Sequence, residues 1–148
     1  MKISKKCQYA LRAVFELVSR NHKVPVKTHD IARSQNISLR FTEVILNELK
    51  HGGFVESKRG NEGGYILARS PDNLTIQEII EYVEGPISIS KEDIKNEGNQ
   101  THFGDNAFLD LWEQANDALN IVFRSKTFSD LLEYERKHGN AYPPNYSI

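Results

Sequence analysis

Two short clusters in this chain carry side chains able to grip and read a polyanion. Ser38, Arg40, Phe41 and Glu43 stand together at the start of an amphipathic run. There a guanidinium can pair with a guanine edge or hold a phosphate, a carboxylate can accept from a cytosine amino group, and a ring can touch a thymine methyl. Phe41 fits a core position equally well. The second cluster is Arg59-Gly60. A glycine beside an arginine lets the backbone approach a narrow minor groove while the guanidinium enters its negative potential. Lys2, Lys5, Thr28 and Lys58 are candidate phosphate contacts, which position a duplex without reading it. This is binding chemistry rather than turnover. No nucleophile stands near a base and no phosphate-binding glycine loop leads into a helix, so the chain is not expected to be an enzyme.

The elements around those clusters supply the frame. Ser4 can cap a first helix running to about Arg20, with Tyr9, Leu11, Ala13, Val14, Leu17 and Val18 as a broad apolar face. Thr28 is expected to cap a short helix that turns Ile31 and Ala32 inward and ends at Gln35-Asn36-Ile37. Ser38 then caps a helix whose Phe41, Ile45, Leu46 and Leu49 share one face, and Gly52-Gly53 supplies a left-handed exit. Phe54 to Lys58 and Tyr65 to Ala68, joined through Arg59 to Gly64, read as a hairpin. Val24-Pro25-Val26 reads as a third small strand beside it. Thr75 with Glu78 forms a capping box for a helix that stops at Gly85-Pro86.

The fold class expected is mainly α with a small β-hairpin: a winged helix-turn-helix domain plus a long C-terminal dimerisation helix. Residues 1–86 form the winged domain, 87–105 a polar loop, 106–138 the dimerisation helix and a last helix capped by Thr127, and 139–148 an extended tail. From Asn106 the residues Phe108, Leu111, Trp112, Ala115, Leu119 and Val122 recur at spacings of three and four. A helix of roughly 30 Å with such a stripe must bury it on something, and a second copy of the chain is the expected partner.

Charge divides along the same line. The formal net charge is only -1, yet thirteen Lys/Arg against six Asp/Glu give +7 through Ser70, and six against fourteen give -8 beyond it. A basic half that also holds the helix-turn-helix fits duplex DNA as the ligand. With no apolar run long enough to span a bilayer, a cytoplasmic protein is expected. A single cysteine, Cys7, excludes an internal disulfide framework.

Met1-Lys2-Ile3-Ser4, Tyr9-Ala10-Leu11-Arg12-Ala13, Ser38-Leu39-Arg40-Phe41, Gly53-Phe54-Val55, Lys58-Arg59-Gly60 with Gly63-Gly64-Tyr65-Ile66-Leu67, and Val83-Glu84-Gly85-Pro86 together resemble the Rrf-two family of bacterial transcription regulators. The resemblance is close over about the first ninety residues and looser beyond them. It implies a homodimeric DNA-binding regulator, most often a repressor, with base contacts on the second helix, a wing role for Arg59-Gly60, and the long helix as the dimer element. Cluster-binding members carry three cysteines before that helix and in some a histidine after them. Registered on Leu111-Trp112, those positions fall here near Ile94, Gln100, Asn106 and Leu109, and position eight, a carboxylate ligand in some members, is Gln8. None is a soft sulfur ligand, so no iron-sulfur cluster or other cofactor is expected. His102, Asp105, Asp93 and Glu97 share the loop, but scattered polar residues of this kind are usually solvated, and no metal is assigned to them.

In character the chain is nearest to the family's cluster-free cysteine repressor, and its tail extends that likeness. The ending also resembles the tail that serine acetyltransferase inserts into cysteine synthase. A terminal carboxylate on an aliphatic residue suits a pocket shaped for an amino acid, so Tyr146, Ser147 and Ile148 are the candidate segment for cysteine synthase acting as corepressor. Two other readings stand beside this one. The winged helix can serve as a protein-docking module, or Cys7 can act as a thiol-based redox sensor if Lys5, Lys6 and the helix N-terminus lower its pKa.

Overall fold

The structure, a computed structural model, describes residues 2–20, 23–89 and 102–139. Ser4 accepts from the Cys7 amide at 3.1 Å and starts α1 (Lys5–Ser19), as its position suggests. That helix buries Cys7, Ala10, Ala13, Val14, Leu17 and Val18, an apolar face wide enough to pack under several neighbours at once.

α2 (Thr28–Gln35) starts one residue earlier than the capping pattern implies. Thr28 is its first helical residue. Lys27 is the N-cap and makes no side-chain cap, because an ammonium has no acceptor to offer a free amide; its carbonyl accepts from the Asp30 amide at 3.0 Å and the Ile31 amide at 3.2 Å. Asn36 then takes a left-handed conformation, φ 54°, which asparagine tolerates better than most residues, and Ile37 folds inward beneath it.

α3 (Leu39–His51) is capped by Ser38, whose side chain accepts from the Phe41 amide at 3.2 Å. Thr42, Ile45, Leu46 and Leu49 are its buried residues. At its end the left-handed residue is Gly53, φ 77°, whereas Gly52 remains right-handed. Gly52 has a different reason to be glycine: a Cβ there would stand 2.7 Å from the Tyr82 ring and 2.8 Å from the Phe54 ring.

The wing is an antiparallel pair, β1 (Val55–Lys58) and β2 (Gly64–Leu67), with Val55 opposite Leu67 and Lys58 opposite Gly64. The expected third strand contracts to one bridge, Val26 with Tyr65, whose two hydrogen bonds are 2.9 and 2.8 Å. Pro25 lacks an amide hydrogen, so the ladder cannot extend through it. Backbone at Val26 comes so close that a Cβ on Gly64 would meet its carbonyl oxygen at 2.4 Å.

After a 3-10 turn (Pro71–Asn73), α4 (Ile76–Glu84) opens with the capping box between Thr75 and Glu78. Burial opposes ionisation of Glu78, but the Thr75 amide and Arg69 outweigh it and hold the carboxyl below its ordinary range. α5 (Asp105–Ser125) carries no fully buried residue, and α6 (Phe128–His138) returns to the winged domain. Phe128 is buried, its amide donates to Leu74 at 3.0 Å, and the Ile76 amide donates to Lys126 at 3.0 Å, stitching the turn before α6 to the start of α4. One hydrophobic core thus runs from α1 through Ile31, Ile45, Leu46 and Leu49 to Leu74, Ile79 and Phe128. Asn116 and Asn120 hold the segment Ile87 to Ile89 against α5: Asn116 accepts from the Ile89 amide at 2.6 Å and Asn120 donates to the Ile87 carbonyl at 3.1 Å.

Candidate nucleic-acid interface

α3 is clamped from two sides. Glu16 of α1, almost wholly buried, accepts from Arg20 at 2.9 Å and from Gln35 at 2.7 Å, and Arg20 donates onward to Ser34 at 3.0 Å. This network seats α2 on α1. Lys6 of α1 pairs with Glu48 of α3 at 2.7 Å, and Tyr82 of α4 donates to the Glu48 carbonyl at 2.8 Å. Held from below, α3 presents its opposite side outward.

That outward side extends well beyond the first turn of the helix. Ser38, Arg40, Phe41 and Glu43 are all exposed, and so are Val44, Asn47 and Lys50. At 3.6 residues per turn, Arg40, Val44 and Asn47 form one row diametrically opposite Ile45 and Leu49. Val44 and Asn47 lie outside the contacts expected from the sequence, which stop at the first turn, although their spacing from Arg40 marks them. Phe41 belongs fully to neither side: its ring is 44 % exposed and meets Tyr9 edge-on, with centroids 5.6 Å apart.

The wing places Arg59 and Gly60 at its exposed tip. Gly60 has φ 106° and its carbonyl accepts from the Gly63 amide at 3.0 Å, closing a turn that most side chains would strain. Neither Arg40 nor Arg59 has a carboxylate partner among the described residues, whereas Lys58 lies 3.6 Å from Glu56. Lys2 and Lys5 are exposed at the start of α1, and Thr28 is half-buried at the start of α2. The Val26–Tyr65 bridge joins the segment entering α2 to the wing, so Thr28 and Lys58 flank the same junction.

On α5 the apolar stripe divides. Leu119, with Phe123, packs against the chain's own core, and Trp112 and Ala115 are half-buried. Phe108, Leu111, Ile121 and Val122 are half or more exposed. Phe108 stacks on Trp112 with centroids 6.2 Å apart.

Cys7 does not have the environment of a reactive thiol. It is fully buried, and desolvation, followed by the nearby Glu84 carboxylate, pushes its pKa up to about 11. The lowering by Lys5, Lys6 and the helix N-terminus on which a redox role depends is therefore not found: burial and the Glu84 carboxylate both disfavour the thiolate. His102 Nδ1 lies 3.9 Å from a carboxylate oxygen of Asp105, and the described residues hold no group of three potential metal ligands. Asn106 and Leu109 fall in the first turns of α5, while Asp93, Ile94, Glu97, Gln100 and the tail segment Tyr146 to Ile148 lie outside the described residues.

A buried-core helix-turn-helix with a glycine-tipped wing is a fold seen in known regulators, and comparison bears this out. Residues 3–134 match the Rrf2 family model, described as an iron-dependent transcriptional regulator. This chain belongs to the Rrf2 family. Among curated relatives, the HTH-type transcriptional regulator CymR of Bacillus subtilis is 35% identical over 142 residues, covering 96% of this chain and 97% of the relative. The solved structure of CymR, the global cysteine regulator of that organism, superposes with a TM-score of 0.78 at 34% identity, over 90% of this chain and 98% of the other. An IscR structure from T. potens gives a TM-score of 0.75 at 28% identity, over 99% and 97% of the two chains. Members of the Rrf2 family are transcriptional regulators, and the winged helix described above is the part of this one suited to DNA. Among the described residues no helix is long and apolar enough to cross a membrane.

Proposed function

We propose that this Rrf2 protein is a sequence-specific repressor that binds operator DNA as a homodimer, without an iron-sulfur cluster, in the bacterial cytoplasm. The observation that carries the reading is the outward row on α3 beside an exposed wing arginine, both rigidly held by a buried core. α3 enters the major groove with Arg40 and Glu43 on base edges, Arg59 enters the adjacent minor groove, and Lys2, Lys5, Thr28 and Lys58 lie along phosphates. Two copies read two half-sites.

The second copy docks through α5. The exposed Phe108, Leu111 and Val122 need cover, and Leu11, Phe15 and Leu131 line an open groove of about 520 Å³ between α1 and α6 that needs filling. One symmetric association serves both surfaces, since in a two-fold interface each contact occurs twice.

Likeness to the cysteine regulator supports a sulfur-related signal. On this reading Tyr146, Ser147 and Ile148 enter the active site of cysteine synthase, and the enzyme acts as corepressor. Calorimetry with purified cysteine synthase tests it: removing Ile148 is expected to abolish binding, and unchanged affinity ends the proposal. The DNA reading is tested by selecting genomic fragments on the full chain and titrating them across salt. A steep fall of affinity with salt and a surviving preference for selected over scrambled duplex is the expected result. A monomer indifferent to every duplex at low salt overturns it.

A further inference from the structure

We infer that Val44 is a specificity-determining residue that recognises a thymine methyl in each half-site. The inference rests on the duplex-binding reading above and names what one position of that surface selects. Val44 is 54 % exposed in the middle of the outward row of α3, one turn beyond Arg40 and one turn before Asn47 and Glu48. Among the described residues it is not part of the hydrophobic core or of the side chains packed against it. An exposed valine weakens a helix relative to alanine, so its presence there is a cost that core packing does not offset.

Its surroundings decide what it meets. Its neighbours three and four residues away on the helix surface are Arg40, Phe41, Asn47 and Glu48, in a half of the chain that carries a charge of +7. The isopropyl group and the half-exposed Phe41 ring, which is held against Tyr9, make an apolar patch bordered by polar and cationic side chains and too small for protein docking. It is the right size for one methyl group in a phosphate-walled groove. In the major groove thymine alone among the four bases presents a methyl, and apolar side chains read it by contact. A β-branched side chain in a helix occupies essentially one χ1 rotamer, so the contact requires little further ordering. One helical turn of about 5.4 Å spans one to two base steps, which sets the thymine within about two base pairs of the base met by Arg40.

Deoxyuridine removes only the methyl, and this gives a direct test. The probe is a duplex recovered from a randomised pool by repeated selection on the full-length protein, followed by a scan in which each thymine is replaced singly by deoxyuridine. One thymine per half-site is expected to weaken wild-type binding about 4-fold when demethylated, and about 15-fold when both half-sites are changed. Val44→Ala is expected to bind the thymine duplex more weakly by the same factors and to ignore demethylation at those two positions. Val44→Ile, which keeps the branch, is expected to retain the thymine preference, so a misfolded alanine variant would not leave the matter open. A flat scan with wild-type protein, while selected duplex is still preferred over scrambled, overturns the role of Val44 and leaves duplex binding standing. Failure to prefer selected over scrambled duplex at any salt removes both.

Discussion

The hydroxyl of Tyr82 donates to the main-chain carbonyl of Glu48 at 2.8 Å, so α4, which packs on α5, is bonded to the last turns of the helix proposed to read DNA. The Tyr82 ring also meets Phe54 edge-on at 5.1 Å, and Arg69 lies 5.4 Å from the Phe54 centroid on its face. Gly52 sits beneath both rings, so α3, the wing and α4 meet at one point.

Tyr82→Phe is therefore expected to lower stability by about 0.5–1.5 kcal/mol, the usual worth of one hydrogen bond, with the ring packing retained. Gly52→Ala is expected to cost about 1–3 kcal/mol, because the new methyl must displace two aromatic rings. Urea denaturation of the three proteins measures both. A neutral Gly52→Ala would mean that the rings yield freely and the junction is loose.

Glu16 gives a second prediction. Its carboxylate is nearly inaccessible and holds Arg20 and Gln35 by hydrogen bonds to separate oxygens. Glu16→Gln keeps the volume and removes the charge, and it is expected to cost about 1–2 kcal/mol, since Arg20 is partly exposed and can turn to water. A double-mutant cycle with Gln35→Ala should show coupling of at least about 0.5 kcal/mol. Independent effects in chemical denaturation would contradict the link between α1 and α2.

Cys7 supplies a pH dependence. Its folded pKa is raised from 9.0 to about 11, so between those values the unfolded chain loses a proton that the folded chain keeps. Fewer protons on the unfolded state mean that stability falls as pH rises. The contribution is complete below about pH 9 and is lost progressively toward pH 11. Tyrosines and lysines titrate in the same window, so the readout is the difference between wild type and Cys7→Ala. The variant is expected to lose less stability than wild type across the span from pH 9.0 to about 11. Equal slopes would show that the thiol ionises freely in the folded protein.

Much of this frame is legible in the chain because its signals are local. Ser4, Ser38, Thr75 and Thr127 stand at helix starts as their side chains suggest, each satisfying an amide three residues on. Thr28 misleads by one position because the Lys27 carbonyl closes the first turn without help from a hydroxyl. The return of α6 is not legible: the bonds joining Leu74 to Phe128 and Ile76 to Lys126 connect residues some fifty apart, and no local pattern announces such a pairing. Nor is the division of the α5 stripe, since Leu119 and Leu111 look alike until α4 and α1 are in place. Val44 is passed over in the sequence because apolar residues on an amphipathic helix ordinarily face inward, although its spacing from Arg40, opposite Ile45 and Leu49, already places it on the outer side.

The proposed dimer predicts a clean separation of assembly from folding. Leu111 is half exposed on α5, so Leu111→Glu places a charge where the single chain already meets water. The variant is expected to keep its helical circular dichroism while sedimenting as a monomer, because an unpaired charge at the centre of an apolar interface is strongly unfavourable. Operator affinity should then fall far below that of the wild type. A dimeric Leu111→Glu protein would move the interface elsewhere.

Arg40 and Arg59 should fail in different ways, and the difference separates reading from gripping. Arg59→Ala removes a cation from the wing tip, so the slope of log affinity against log salt is expected to flatten by about 0.9 for each phosphate left without its cation, with selected and scrambled duplexes weakened alike. Arg40→Ala removes a base contact, and it is expected to cost about 1–3 kcal/mol on selected duplex with little effect on scrambled duplex. Titrations of both variants at several salt concentrations distinguish these outcomes. If Arg59→Ala instead left the salt slope and both affinities unchanged, the wing tip would not be meeting the duplex, and the narrow-groove role of the glycine-flanked guanidinium would have to be abandoned.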